Sequence, residues 1–279
     1  MTREQLLTQV LDLFDGADWG SAAELLRDHL GDYAEDPAMH CWLGVAEREL
    51  GMEGVAYERF KRALALGPTD PHVLATAGNG VAAFDDEAAE PALRTAALTA
   101  PEVPLARFLY GAYLAREGLL EDALRELRAA RELDEDDPQI AFELGVAHAL
   151  AEDYDAANDA FSDAVRLDPE DGWARVVFGL ALAEAGRLEE ATGELMSGAR
   201  LRDDDLEAQL AAALAAGATG RDGIAFEMLE RARFSSQEDD LLLLTGVEDR
   251  LEAGHEAAES MLHDEIVPHM LRTRLLERP

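Results

Sequence analysis

Residues 144–169 read LGVAHALAEDYDAANDAFSDAVRLDP, and thirty-four residues on, from Phe178, a looser copy reads FGLALAEAGRLEEATGELMSGARLRDD. A repeat of this length constrains the fold more than any other feature of the chain. One copy is too short to bury its own apolar face and must stack on its neighbours. In the first copy Leu144, Gly145 and His148 share one helical face, and Asp153 breaks the apolar run. Ala157, Phe161 and Ala164 then recur at helical spacing before Pro169, which lacks an amide hydrogen and cannot continue a helix. The unit reads as a helical hairpin. Gly145 and Ala157 let its two helices approach closely, while Leu144 and Phe161 fill the space beside them.

The same grammar runs along the chain. Leu43, Gly44, Gly51, Ala56, Phe60, Ala63 and Pro68 spell it almost in full, and Ala89, Leu93, Ala96 and Pro101 give the second half of the next copy. Gly111, Gly118, Ala123, Leu127 and Ala130 follow; beyond the opening copy come Phe178, Gly179, Gly186, Ala191 and Leu195, then Ala213, Gly220, Ala225, Leu229 and Ala232. This period and pattern resemble the tetratricopeptide repeat family, whose signature is W-x2-L-G-x2-Y, then A-x3-F, then A and P. The resemblance covers residues 37–236 as six consecutive units. His40, Leu74, Arg107, Ala141, Arg175 and Gln209 stand where the family often has Trp, and His148 where it has Tyr.

The resemblance implies an all-α fold: a right-handed superhelical solenoid of about seven to eight helical hairpins with a C-terminal capping helix. The whole chain, 1–279, reads as one such domain. Residues 1–36 form a divergent first hairpin on Leu6, Val10, Leu13, Ala22 and Leu26, and residues 37–239 hold the regular units. Residues 240–279 make an irregular hairpin and a cap, whose last helix, at 266–277, sets Met270, Leu271, Leu275 and Leu276 beside Arg272, Arg274 and Arg278.

Composition agrees. Aromatics are only 6% of the chain, and the alternating Val/Ile/Thr runs of strands are missing, which favours helices packed through small side chains. The formal charge of −35 argues against nucleic acid or an anionic membrane surface as the main partner, since each would repel the chain. The longest apolar tract, at 208–218, is well short of the roughly 20 residues that cross a bilayer, so no membrane insertion is expected. A single cysteine, Cys41, implies no internal disulfide and no oxidising compartment. The opening MTREQLLTQV reads as a helix with a Thr2/Gln5 capping box rather than as a signal peptide, so the expected location is cytoplasmic.

Chemistry is sparsely represented. There is no glycine-rich phosphate loop, G-x-S-x-G or H-E-x-x-H motif, so no catalytic residue, cofactor or metal is expected. His40 and Cys41 are adjacent on a helix and point about 100° apart. His255, His263 and His269, with Asp264 and Glu265, carry the alternative of a metal-binding protein or an enzyme subunit. The acidic runs at 134–138, 202–205 and 238–240 read as helix caps and inter-repeat loops.

A second apolar stripe, which the hairpins do not need, carries the functional expectation. It comprises Phe108 and Ala112, then Phe142, Val146 and Ala149, then Trp173, Val176, Leu180 and Ala183, and finally Leu210 and Leu214. In the family that the repeats resemble, these positions of each first helix line a concave groove where peptide ligands lie. The resemblance therefore implies a non-catalytic scaffold or adaptor that binds an apolar or amphipathic segment of a protein partner, with Arg or Lys flanks facing an acidic rim. The alternative within the same class is self-association: the C-terminal helix docks on a neighbouring copy in a homo-oligomer or folds back on its own array. The competing structural reading makes the stripe plain core.

Overall fold

The structure, a computed structural model, describes residues 1–276 apart from the side chain of Glu238. Every regular element among them is helical. The residues group into two compact units, one from Met1 to Leu133 and one from Asp134 onward.

In the first unit the hairpins are α1 (Arg3–Asp15) with α2 (Trp19–His29), α3 (Pro37–Glu49) with α4 (Glu53–Ala65), α5 (Pro71–Ala82) with α6 (Ala89–Thr99), and α7 (Pro104–Arg116) with α8 (Leu120–Leu133). In the second they are α9 (Pro138–Leu150) with α10 (Tyr154–Leu167), α11 (Gly172–Glu184) with α12 (Leu188–Leu201), α13 (Leu206–Ala218) with α14 (Asp222–Ser235), and α15 (Leu241–Ala253) with α16 (His255–Met261). A single π-helical turn, Leu262–Ile266, leads from α16 into a last helix, α17 (Val267–Leu276). The stacked helical hairpins expected from the repeat are the fold; the remainder of the expected last helix, including Arg278, lies outside the described residues.

Local chemistry sets the helix ends. Asp36, Asp70, Asp137, Asp171 and Asp205 each cap a first helix by accepting a backbone amide, and Pro stands at the first position of α3, α5, α7 and α9, where no amide partner is needed. At α1 both bonds of the Thr2/Gln5 box are made: the Gln5 amide donates to Thr2 Oγ1 at 3.3 Å and the Thr2 amide to Gln5 Oε1 at 3.1 Å. Inside the hairpins the glycine that follows the signature Leu is required by contact. A Cβ on Gly145 would lie 2.5 Å from the Phe161 ring.

Four of the six slots where the family often has Trp carry a polar side chain that bonds to a loop carbonyl. Arg107 donates to the Pro101 carbonyl at 2.6 Å and Arg175 to the Pro169 carbonyl at 2.9 Å, while Gln209 reaches the Asp203 carbonyl at 2.6 Å. His40 lies 2.8 Å from the Ala34 carbonyl. Each side chain ties its helix to the loop six residues earlier. The two arginines also bridge to the second helix of their hairpin, at Glu126 and Glu194, both at 2.7 Å. In the first unit Glu47 is buried on α3 and held by Arg27 of α2 at 2.8 Å and Arg59 of α4 at 3.2 Å, so one carboxylate fastens three helices.

Candidate protein-binding face

The stripe residues of the second unit lie on its first helices. Val146 and Ala149 of α9, Val176, Leu180 and Ala183 of α11, and Leu210 and Leu214 of α13 are buried, whereas Phe142 and Trp173 are half-buried at its margin. They are not left open. The C-terminal segment of the chain covers them: α17 packs on α11 and touches α9, while α16 and the π turn pack on α13. Val267, Met270, Leu271 and Leu275 of α17 are buried in the same apolar cluster as the stripe. In this unit the stripe is therefore a face covered by the chain's own C-terminal segment. The physical reason is that an apolar face of this length excludes water most effectively against another amphipathic helix, and the chain supplies one.

Polar groups fix how α17 sits. Arg274 is only 5% exposed and presents its guanidinium fork to Asp205, with Nη1 to Oδ2 at 2.9 Å and Nη2 to Oδ1 at 2.8 Å. Glu207 lies 3.7 Å away on the same guanidinium. Two guanidinium groups lie over the Trp173 ring, that of Arg274 at 4.6 Å and that of Arg202 at 5.3 Å from its centroid, both within cation–π range. Asp205 has two further duties: it accepts from Arg202 Nε at 3.1 Å, and it caps α13 by accepting the Ala208 amide at 3.0 Å. Burial opposes its charge, but the hydrogen bonds from Arg274 and the Ala208 amide outweigh that and hold its carboxyl below the usual carboxylate range. Sequence reasoning assigned Asp205 to a cap and Arg274 to an amphipathic helix without pairing them. The available signal was Arg274 itself, placed between Met270, Leu271 and Leu275 on the apolar side, where a cation needs a partner.

In the first unit Phe108 and Ala112 of α7 are also buried, and α7 packs on both α5 and α6. The C-terminal histidines are not gathered. His255 faces Asp222 at 3.2 Å, His263 and His269 are exposed, and no group of three His, Cys, Asp or Glu among the described residues could hold a metal ion. Cys41 is fully buried, and burial pushes its thiol pKa up, which leaves it a poor nucleophile. No described helix is long and apolar enough to cross a membrane.

Comparison with known proteins places this architecture. A family model described as a tetratricopeptide repeat matches residues 7–71, 87–138, 117–172 and 142–208, together more than half of the chain. No match was found among curated proteins. Among solved structures, the chain superposes on a chain of the APC/C hetero-tetramer Cut9–Hcn1 with a TM-score of 0.71 at 19% identity, over 87% of this chain and 48% of that one, so it spans about half that protein's length. A thermophilic TPR protein of Thermus thermophilus gives 0.56 at 22% identity, over 64% of this chain and 98% of that one. PilF of Pseudomonas aeruginosa gives 0.55 at 18% identity, over 71% and 91%. At these identities the likeness shows the fold alone. Matched by the repeat model over most of its hairpins, this chain belongs to the tetratricopeptide repeat family.

Proposed function

We propose that the chain is a non-catalytic interaction scaffold and that the striped face of α9, α11 and α13 is its partner-binding face, specific for an amphipathic helix that carries an arginine. One observation carries this reading. The chain's own α17 occupies the face, and Arg274 is its single buried cation, held between Asp205 and Trp173. The resident helix thus displays the ligand chemistry: apolar residues on one side for the stripe and one guanidinium for the carboxylate. Acidic residues outside the stripe, Glu207 among them, favour further Arg or Lys in the incoming segment.

Treating 1–279 as one repeat domain belongs to the same proposal, and its support is the family match over 117–172, which runs through the Leu133–Asp134 boundary. A cytoplasmic location fits the lone buried thiol.

The test is a fluorescent peptide copy of residues 262–276, titrated into the full chain and into a full-chain Met270→Glu/Leu271→Glu variant whose α17 cannot dock. Tight binding to the variant, weaker binding to the wild type, and loss of binding when the peptide's arginine at position 274 is replaced by Glu are expected. A folded variant that ignores the peptide would refute the proposal.

The second reading is exchange of α17 between copies. The π turn Leu262–Ile266 favours it, because π insertions often mark functional sites and this one sits where an exchanged helix would swing out. Native mass measured over a concentration series reports dimers under this reading and monomers at every concentration under the first.

A further inference from the structure

The first unit carries a hollow that its hairpin packing does not require. It holds about 380 Å³ and is floored by Ala56 and Phe60 of α4 and by Gly80 and Ala83 at the end of α5. One wall is an aromatic pair, Tyr57 and Phe84, with ring centroids 4.6 Å apart and planes at 37°. Phe84 is 45% exposed, although it stands just beyond α5, in a turn that any polar residue would serve. Tyr57 is fixed: its hydroxyl donates to Asp86 at 2.7 Å, and Asp86 in turn accepts the Ala88 amide at 2.9 Å. Gly80 shapes the floor, since a Cβ there would lie 2.2 Å from the Phe60 ring.

The far side of the same aromatic wall faces a second, shallow and open hollow, bordered by Asp85, Asp86, Glu87 and Lys61. The chain places its one lysine there: Lys61 Nζ is 5.2 Å from the Tyr57 ring centroid and 3.3 Å from Asp86. Asp86 pairs with that ammonium, Asp85 and Glu87 line the same hollow, and Glu49 and Glu53 outnumber Arg48 along the apolar one. An apolar socket of this size lies within the range of about 300–1,000 Å³ typical of ligand sites. Its neighbour holds the Lys61 ammonium against Asp86.

We propose that this pair of hollows is a docking site for an extended segment of a partner protein, with one aliphatic or aromatic side chain in the socket and an Arg or Lys in the acidic hollow across the Tyr57–Phe84 ridge. The argument for that occupant is charge complementarity, together with Lys61, which already shows a cation lying between the ridge and Asp86. A strand advances about 3.3 Å per residue, so test peptides with the anchor and the cation about one to three residues apart span roughly 3–10 Å across the ridge. The site shares no residue with the α17 face and does not depend on that reading.

An array of acetylated heptapeptides tests it. Each peptide carries one Leu or Phe and one Arg or Lys at that spacing in a Gly/Ser background; matched peptides carry Ser for the anchor or Glu for the cation. The full chain is expected to prefer the anchor-plus-cation peptides over both controls, with an affinity that falls as salt is raised. Phe84→Ala should weaken the best binder by about tenfold, as loss of an aromatic anchor does. Glu87→Lys, on an exposed side chain, should weaken it by several-fold while leaving the melting curve unchanged. If Phe84→Ala disturbs folding, Glu87→Lys and Glu53→Lys carry the same reading from the surface. Equal binding of the three peptide classes, or wild-type affinity in the folded variants, overturns the proposal.

Discussion

Gly145 and Arg175 show how single residues maintain a repeat. Gly145 admits the Phe161 ring at a separation that no Cβ tolerates, so Gly145→Ala is expected to lower stability by about 1–3 kcal/mol through overpacking, read as a shifted urea midpoint with unchanged slope. An unshifted midpoint would mean that the ring moves aside freely. Arg175→Leu keeps much of the side chain's apolar bulk but abandons the Pro169 carbonyl and Glu194; a loss of about 1 kcal/mol is expected from the hydrogen bond to the carbonyl alone. The glycine was legible from sequence because its neighbours at helical spacing demand a close approach. The arginine was legible only as a departure from the family's Trp, since the carbonyl that it serves belongs to a loop whose path depends on the assembled hairpin.

Among the elements, the first and second helices of each repeat could be read from period and caps, and α17 could be read as amphipathic. Its docking place could not. Sequence periodicity states which side of a helix is apolar but not which apolar surface it meets, so the stripe on α9, α11 and α13 reads from sequence as a groove, with plain core as the competing reading. In the structure α17 covers the stripe, held there by the Asp205–Arg274 pair, which also gives α17 a pH dependence. The folded-state pKa of Asp205 is depressed, so its contribution is present above the ordinary carboxylate pKa of about 3.9 and is lost as pH falls through the lower folded value. Asp205→Asn retains a capping side chain and removes the titration. The wild-type urea midpoint should therefore fall more steeply than that of Asp205→Asn as pH is lowered below about 5. Parallel acid limbs would show that the ion pair does not stabilise the docked helix.

For the whole molecule, a net charge of −35 means self-repulsion that exposed ion pairs do little to relieve, since most surface pairs contribute about 0–1 kcal/mol. Moderate salt is expected to raise the melting temperature by screening that repulsion, and a melting temperature that falls with salt would show the ion pairs to be dominant. The same charge accounts for the basic chemistry proposed for both partner sites. The central claim is that α17 is a replaceable occupant of the striped face, and amide hydrogen exchange tests it most directly. Exchange would be followed by mass spectrometry on the full chain, with and without an excess of the isotopically distinguishable 262–276 peptide. Exchange of residues 267–276 should accelerate when the peptide is added while α9 and α11 remain protected, because the peptide takes the place that α17 vacates. If residues 267–276 exchange only as slowly as α11 and the peptide changes nothing, α17 is a permanent part of the core and the striped face is not a binding site.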